Sequence, residues 1–255
     1  MQITVREILN HVEMIAPAET AEAYDNVGLI LGRRDQKVSK VLVALDATME
    51  VVEEAEKLGA ELIITHHPLL FHARKKLAEE DPEAKIIYRM IRSGISLLSA
   101  HTNLDKTFYS GSAACANLLG LKNVRQEGLL FIGSLPKKLN TFELKQEIAK
   151  AIMPDVRLFG NENIQLETVA ICGGAYDEGW LEAKACGAQA LITGEVRHHN
   201  ALAAVMDGFA LYDAGHFGTE APLVKPLCEY LQNWANDVKY DVTFFSSDVT
   251  PYGRT

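Results

Sequence analysis

Apolar residues follow two different spacings along the chain. In residues 4–16 they recur every three or four positions, as on one face of an amphipathic helix. Elsewhere they form short unbroken runs of the length of buried strands, at 41–45, 62–64 and 95–98. Segments with helical spacing separate these runs, at 49–58, where Gly59 is a stop signal, and at 84–91. Such alternation predicts an α/β fold with a parallel or mixed sheet covered by helices.

The second part of the chain repeats this scheme. Residues 59–65 (GAELIIT) match 187–193 (GAQALIT) at a shift of 128, and the same shift carries 41–43 onto 169–171. We therefore predict two similar α/β halves, residues 1–125 and 126–255, joined near residues 123–127 without a flexible linker. The sequence leaves open whether the last helix (221–234) and strand (242–246) return to the first half.

Histidines follow three of the predicted strands. His66 and His67 stand together after the run 62–64. His101 and Asp105 form a His-x3-acid element after the run 95–98, and His216 and Glu220 repeat it in the second half at a shift of 115. Ligands in α/β sheets bind at the carboxyl ends of strands, and imidazole with carboxylate suits zinc, manganese, iron or magnesium. Taken alone, His66 and His67 could be a surface pair of histidines without a role. The three strand ends, considered together, predict a divalent metal site.

Three further residues are candidates for chemistry beside such a site. The repeat places Glu195 where the histidine pair stands in the first half, with His198 and His199 close behind. Glu195 and His199 could contact substrate or support a ligand, although Glu195 in the first turn of a helix is an equally good interpretation. Asp46 is predicted to cap a helix, and Asp25 to lie in a turn.

Composition narrows the classes of protein that remain. The formal net charge of −9 argues against a general duplex-DNA binder. No apolar run is long enough to span a membrane, and the first residues do not resemble a signal peptide. The four scattered cysteines read as reduced core residues, so we expect a cytoplasmic protein. Phosphate-binding loops, dinucleotide fingerprints and serine-hydrolase elbows are absent from the sequence.

Six motifs occur in an order that resembles one known family. They are 24–32 (YDNVGLILG), 45–48 (LDAT), 64–68 (ITHHP), 101–105 (HTNLD), 193–195 (TGE) and 215–220 (GHFGTE). Together they resemble the NIF-three-like dinuclear-metal-centre family, whose members are labelled GTP cyclohydrolase 1 type 2 homologs. The resemblance covers essentially the whole chain.

The resemblance implies two metal ions in a cleft between the two halves. His67 and Asp105 would hold one ion, His66 and His216 the other, and Glu220 would bridge both. His101 would lie beside the metals and, with Glu195 or His199, move protons. The resemblance also implies a toroidal homohexamer, a trimer of dimers.

Two functions are compatible with this expectation. The first is a metal-dependent hydrolase acting on a small, nucleotide-like substrate, either as a GTP cyclohydrolase or as a phosphoesterase. The second is a non-enzymatic ring protein that binds or stores metal, or serves as a scaffold or regulator. Nucleic-acid binding through a central ring rests on family analogy alone.

Overall fold

The computed structural model describes residues 1–251 and divides the chain into two compact units. The first contains Met1–Thr107 and the segment from Val224 onward, and the second contains Phe108–Leu223. The predicted boundary at residue 125 differs from this division. The helix Gly111–Leu118 accounts for the difference, because its Cys115 and Ala116 are buried in the core of the second unit. Neither of the two points at which the chain passes between the units, after Thr107 and after Leu223, is marked by a change in composition.

The first unit is built on a five-stranded sheet in the order β13-β4-β5-β6-β2. Strands β13, β4, β5 and β6 are parallel, and β2 joins the edge antiparallel to β6. The strands are β2 (Gly28–Leu31), β4 (Lys40–Ala44), β5 (Leu62–Thr65), β6 (Ser96–Ser99) and β13 (Thr243–Ser246), and β1 (Ile3–Thr4) pairs separately with β3 (Lys37–Val38). The helices are α1 (Val5–Ile15), α2 (Met49–Leu58), α3 (Pro82–Ser93), α4 (Thr102–Asp105) and α10 (Val224–Val238).

Local sequence determines where these helices begin and end. Thr48 caps α2 by accepting a hydrogen bond from the Val51 amide, and Gly59 ends the helix at a φ of 69°. Asp81 caps α3, and Gly94 ends it at a φ of 68°. The predicted helix 49–58 therefore agrees with α2, whereas α3 extends beyond the predicted 84–91 at both ends.

The second unit is built on a six-stranded sheet in the order β7-β8-β10-β11-β12-β9. Its parallel centre is β10, β11 and β12, with β8 and β9 antiparallel on either side. The strands are β7 (Lys122–Glu127), β8 (Leu130–Asn140), β9 (Arg157–Phe159), β10 (Gln165–Ile171), β11 (Ala190–Thr193) and β12 (Ala210–Asp213). The helices are α5 (Gly111–Leu118), α6 (Thr141–Ala151), α7 (Trp180–Ala185), α8 (His198–Met206) and α9 (His216–Glu220). Two separate apolar clusters bury alternate residues of β10, β11 and β12.

The two units share a core of four strands with the same topology, which confirms the predicted fold of two similar α/β domains. In each unit three parallel strands lie side by side in the order in which they occur in the chain. Beside the third strand lies an antiparallel strand that comes earlier in the chain, which gives the orders β4-β5-β6-β2 and β10-β11-β12-β9. Strands β5 and β11 occupy residues related by the shift of 128 seen in the sequence. In each unit the last of the three parallel strands leads into a short helix that contains the acidic residue of the His-x3-acid element. Strand β6 leads into α4 with Asp105, and β12 leads into α9 with Glu220.

The final strand belongs to the first unit. Residues of β13 pair in parallel register with β4, Phe244 opposite Val41, and α10 packs on the same strands. The sequence had left this placement open. Within residues 1–251, no helix is both long and apolar enough to cross a membrane.

Candidate metal site

The histidine pair of the first unit lies just beyond the carboxyl end of β5. The backbone continues the sheet pairing past Thr65, because the amides of His66 and His67 donate to the carbonyls of Ala44 and Leu45 at 3.3 and 3.0 Å. The Thr65 hydroxyl also donates to the His67 carbonyl at 2.8 Å. These bonds fix the position at which each imidazole leaves the main chain.

Each imidazole of the pair has its Nδ1 atom bound to an oxygen. The His66 side chain is fully buried, and its Nδ1 lies 3.0 Å from the carbonyl oxygen of Ala100. The Nδ1 of His67 lies 2.7 Å from Asp46 Oδ1. Because these oxygens only accept, Nδ1 carries the proton in both rings, and Nε2 is the atom suited to bind a metal. The prediction that Asp46 caps a helix is wrong, since Thr48 caps α2.

Asp25 and His101 form a second carboxylate–imidazole pair. The Asp25 carboxylate is fully buried and accepts from His101 Nδ1 at 2.9 Å and from the amide and hydroxyl of Thr102. Burial raises the pKa of Asp25, but the hydrogen bonds from His101 and Thr102 outweigh burial and hold that pKa well below its usual range. Asp25 is thus a buried anchor for His101, and the prediction of a simple turn missed this role.

Three of the histidines of the first unit converge. One ring nitrogen each of His66, His67 and His101 lies within 4.8 Å of the other two, and such a group could hold a metal ion. His66 Nε2 is 3.5 Å from Asp105 Oδ1. Two ligands of one tetrahedral ion, each bound at about 2.0–2.1 Å, are roughly 3.3–3.4 Å apart, so these two atoms are close enough to serve in one metal centre.

The second unit places its own histidine and carboxylate together in α9. His216 Nε2 is 3.1 Å from Glu220 Oε2, again close to the spacing of two ligands of one ion. His216 Nδ1 lies 2.6 Å from Glu195 Oε1, and the Glu220 side chain is almost completely buried. Glu195 therefore orients a candidate ligand in the way that Asp46 orients His67.

Two glycines leave room for α9, one beside the Glu220 carboxylate and one beside the main chain of His216. Gly174 adopts a φ of +66°, and a Cβ there would lie 2.4 Å from Glu220 Oε1. At Gly194 a Cβ would lie 2.7 Å from the Cα of His216. The run 172–174 (CGG) and the Thr193-Gly194 step after β11 are therefore required for close approach of the main chain to α9. The sequence patterns did not reveal this role of the two glycines.

The structure also places the other predicted residues. Glu195 precedes α8, which begins at His198 with Arg197 as its N-cap, so the alternative of Glu195 in a helical first turn is wrong. His199 lies in the first turn of α8 with an exposed side chain. Within the first unit the structure brings together His66, His67, His101 and Asp105, and within the second unit Glu195, His216 and Glu220.

The donor chemistry of both units fits divalent metal ions. His66, His67, His101 and His216 each have Nδ1 bound to a carboxylate or carbonyl oxygen, the arrangement that fixes the tautomer of metal-binding histidines. His66 and His216 also have a carboxylate oxygen near Nε2. Sequence patterns identified the rings, but not the partners Asp25 and Asp46.

Solved structures of related proteins share this fold along their whole length. A hypothetical protein from Staphylococcus aureus superposes with a TM-score of 0.94 at 28% sequence identity, covering 100% of both chains. Reduced HcgD from Methanocaldococcus jannaschii superposes with a TM-score of 0.81 at 27% identity, covering 98% of this chain and 99% of that one.

Sequence relatives carry one recurring name. A Clostridium acetobutylicum protein named GTP cyclohydrolase 1 type 2 homolog is 32% identical over 243 residues, which is 91% of each chain. A Helicobacter pylori protein named GTP cyclohydrolase 1 type 2 is 32% identical over 236 residues, covering 90% of this chain and 92% of its own. Residues 3–251 also match the Duf34/NIF3 (NGG1p interacting factor 3) family. Because that match spans nearly the whole chain, the chain belongs to the Duf34/NIF3 family.

Proposed function

We propose that the protein is a metal-dependent hydrolase that holds two divalent ions with His66, His67, Asp105, His216 and Glu220. One observation carries the proposal. In each unit an imidazole with its Nδ1 bound to an oxygen has its Nε2 atom 3.1–3.5 Å from a carboxylate oxygen, close enough for both groups to be ligands in one metal centre. Histidines without a role would have no reason to show this imidazole–carboxylate arrangement in both units.

The division of ligands between the ions follows the family resemblance. His67 and Asp105 would hold one ion, His66 and His216 the other, and Glu220 would bridge them. Mixed imidazole and carboxylate ligands suit zinc, manganese, iron or magnesium. Bound ions of this kind lower the pKa of water and polarise a substrate oxygen.

The chain itself would supply proton transfer and orientation. Asp25 holds His101 at Nδ1, so the remaining ring nitrogen is the atom that would exchange a proton with substrate. Glu195 fixes the ring of His216, and exposed His199 would contact substrate. The names of the relatives favour a nucleotide-like substrate, with GTP as the first compound to test. We further propose a cytoplasmic homohexamer, a trimer of dimers, which sedimentation would distinguish from a dimer.

Metal content and turnover test the proposal together. Purified protein is reconstituted with zinc or manganese, and bound metal is measured by inductively coupled plasma mass spectrometry. We expect two ions per chain in the wild type and a loss of both in Glu220→Ala, because Glu220 would bridge them. His72→Ala is the matched control, since His72 is an exposed histidine of the same unit outside the proposed ligand set.

Turnover is then measured with GTP and with a panel of nucleotides and phosphoesters. Formate release from GTP would support the cyclohydrolase version, and phosphate release the phosphoesterase version. Metal-loaded wild type that turns over none of these compounds would instead support the non-enzymatic alternative. Equal metal content in wild type and Glu220→Ala would contradict the proposed ligand set.

A further inference from the structure

Two exposed aromatic rings lie beside the histidine cluster of the first unit. Tyr24 is 65% exposed and Phe71 is 37% exposed, and neither belongs to a helix or strand. Their ring centroids are 6.1 Å apart at an interplanar angle of 63°. We call Tyr24 and Phe71 the aromatic pair.

The aromatic pair is continuous with the candidate metal ligands. The ring of Phe71 stands edge-on to His101, with centroids 6.1 Å apart at 80°. His101 in turn contacts the rings of His66 and His67, at 5.0 and 5.4 Å. A series of rings therefore leads from the proposed metal ligands to the surface.

Both members of the aromatic pair are attached to anchored backbone. Asp25, directly after Tyr24, is buried against His101. Asn26 donates from Nδ2 to the carbonyl of Leu70, directly before Phe71, at 2.6 Å. This bond ties the two segments to each other, so the rings are held in place before any ligand arrives.

We propose that Tyr24 and Phe71 form a stacking subsite for a planar heteroaromatic ring of the substrate, such as a nucleobase. This inference rests on the proposed function, because it assigns the part of the substrate that lies next to the metals. The two rings are neither parallel nor coplanar, so a planar ligand can stack on one face and meet the edge of the other.

The surroundings favour a small aromatic ligand over a protein partner. Two partly exposed aromatic side chains make a smaller apolar surface than the several hundred Å² of a typical protein-binding patch. Carboxylates border this surface. Burial raises the pKa of the Tyr24 phenol, and the nearby carboxylates of Glu22, Asp25 and Asp105 raise that pKa further. The phenol therefore stays protonated at neutral pH and can donate a hydrogen bond to a ring nitrogen or carbonyl.

Two probes that differ only in the base test the subsite. Guanosine 5′-monophosphate and ribose 5-phosphate are titrated into metal-reconstituted protein by calorimetry. We expect the nucleotide to bind more tightly by roughly ten-fold or more, the usual effect of stacking a base on an aromatic side chain. Phe71→Ala and Tyr24→Ala should each remove most of this difference without changing the affinity for ribose 5-phosphate.

Further variants separate stacking from other effects. Phe71→Leu keeps apolar bulk and should still lose most of the preference, and Phe142→Ala, which removes an exposed ring of the second unit, should lose none. Equal affinities of wild type for the two probes would overturn the inference, as would a preference unchanged in Phe71→Ala. Bound metal, measured on the same samples, should equal wild type in every aromatic variant. Bound metal in Glu220→Ala therefore tests the proposed function. The preference for the nucleotide over ribose 5-phosphate tests the stacking subsite.

Discussion

Replacing Gly174 with alanine should remove metal binding while leaving the protein folded. Gly174 has a φ of +66°, a conformation that costs a residue with a Cβ about 1–2 kcal/mol. The added Cβ would lie 2.4 Å from Glu220 Oε1, whereas ordinary contacts begin at 3.4 Å. The carboxylate must therefore move by about 3.4 − 2.4 = 1.0 Å.

A displacement of this size matters far more to a metal ion than to folding. Metal–ligand distances are fixed to within about 0.2 Å, so Glu220 cannot keep its place as a ligand after a shift several times larger. Loss of a residue that merely orients a ligand lowers affinity about 10- to 100-fold, and displacement of a ligand should cost at least as much. The unfolding free energy should fall only by the backbone cost, about 1–2 kcal/mol.

Gly208→Ala separates the two effects. Gly208 also has a positive φ, +73°, but a Cβ there would meet nothing within 4 Å. Both variants should lose similar stability in urea denaturation of the metal-free protein. Only Gly174→Ala should lose affinity in a competition titration with a zinc-binding dye. If Gly174→Ala binds zinc as tightly as Gly208→Ala, the Glu220 carboxylate is not a ligand or the turn moves away without cost, and the reasoning fails.

Three other changes have expected outcomes. Asp46→Ala should lower metal affinity about 10- to 100-fold, because His67 loses the carboxylate at its Nδ1; a zinc titration measures this, and unchanged affinity would contradict it. Burial lowers the pKa of His11, so its stabilising effect should be complete above about pH 6.5 and decline as the pH falls towards the folded-state pKa. His11→Phe should flatten that decline in urea titrations at several pH values, and an unchanged slope would refute it. Tyr212→Phe should lower the unfolding free energy by about 1 kcal/mol, since the buried hydroxyl donates to a carbonyl at 2.8 Å; an equal urea midpoint would count against that bond.

Sequence reasoning found elements whose signals are local. The prediction for α2 agreed with the structure at both ends, and at the C-terminal end the reason is that Gly59 adopts the positive φ that ends helices. The match between residues 59–65 and 187–193 identified equivalent strands because the repeat preserves both their length and their burial. The rings of the candidate site were found because each follows a predictable strand.

The missed features depend on residues far apart in the chain. Asp46 contacts His67 across 21 positions, and Asp25 contacts His101 across 76. Beside a helix start or in a polar turn, an aspartate has an adequate local explanation, so nothing in its neighbourhood points to a distant imidazole. The division of the units was missed for a similar reason, because α5 joins the second core through contacts that only the folded chain reveals.

The pairing of β13 with β4 has a consequence for synthesis of the chain on the ribosome. The second unit is one continuous segment, Phe108–Leu223, and can fold as soon as it emerges. The first unit receives its edge strand only after Ser246 is made, which at about 5–20 residues per second is roughly 7–28 s after Thr107. During that interval the buried edge of β4 lacks its strand partner and offers a template for pairing with other chains. Truncation before β13 should therefore produce aggregation rather than a shortened folded protein. The strand that is synthesised last should thus determine whether the first unit, most of which is synthesised earliest, remains soluble.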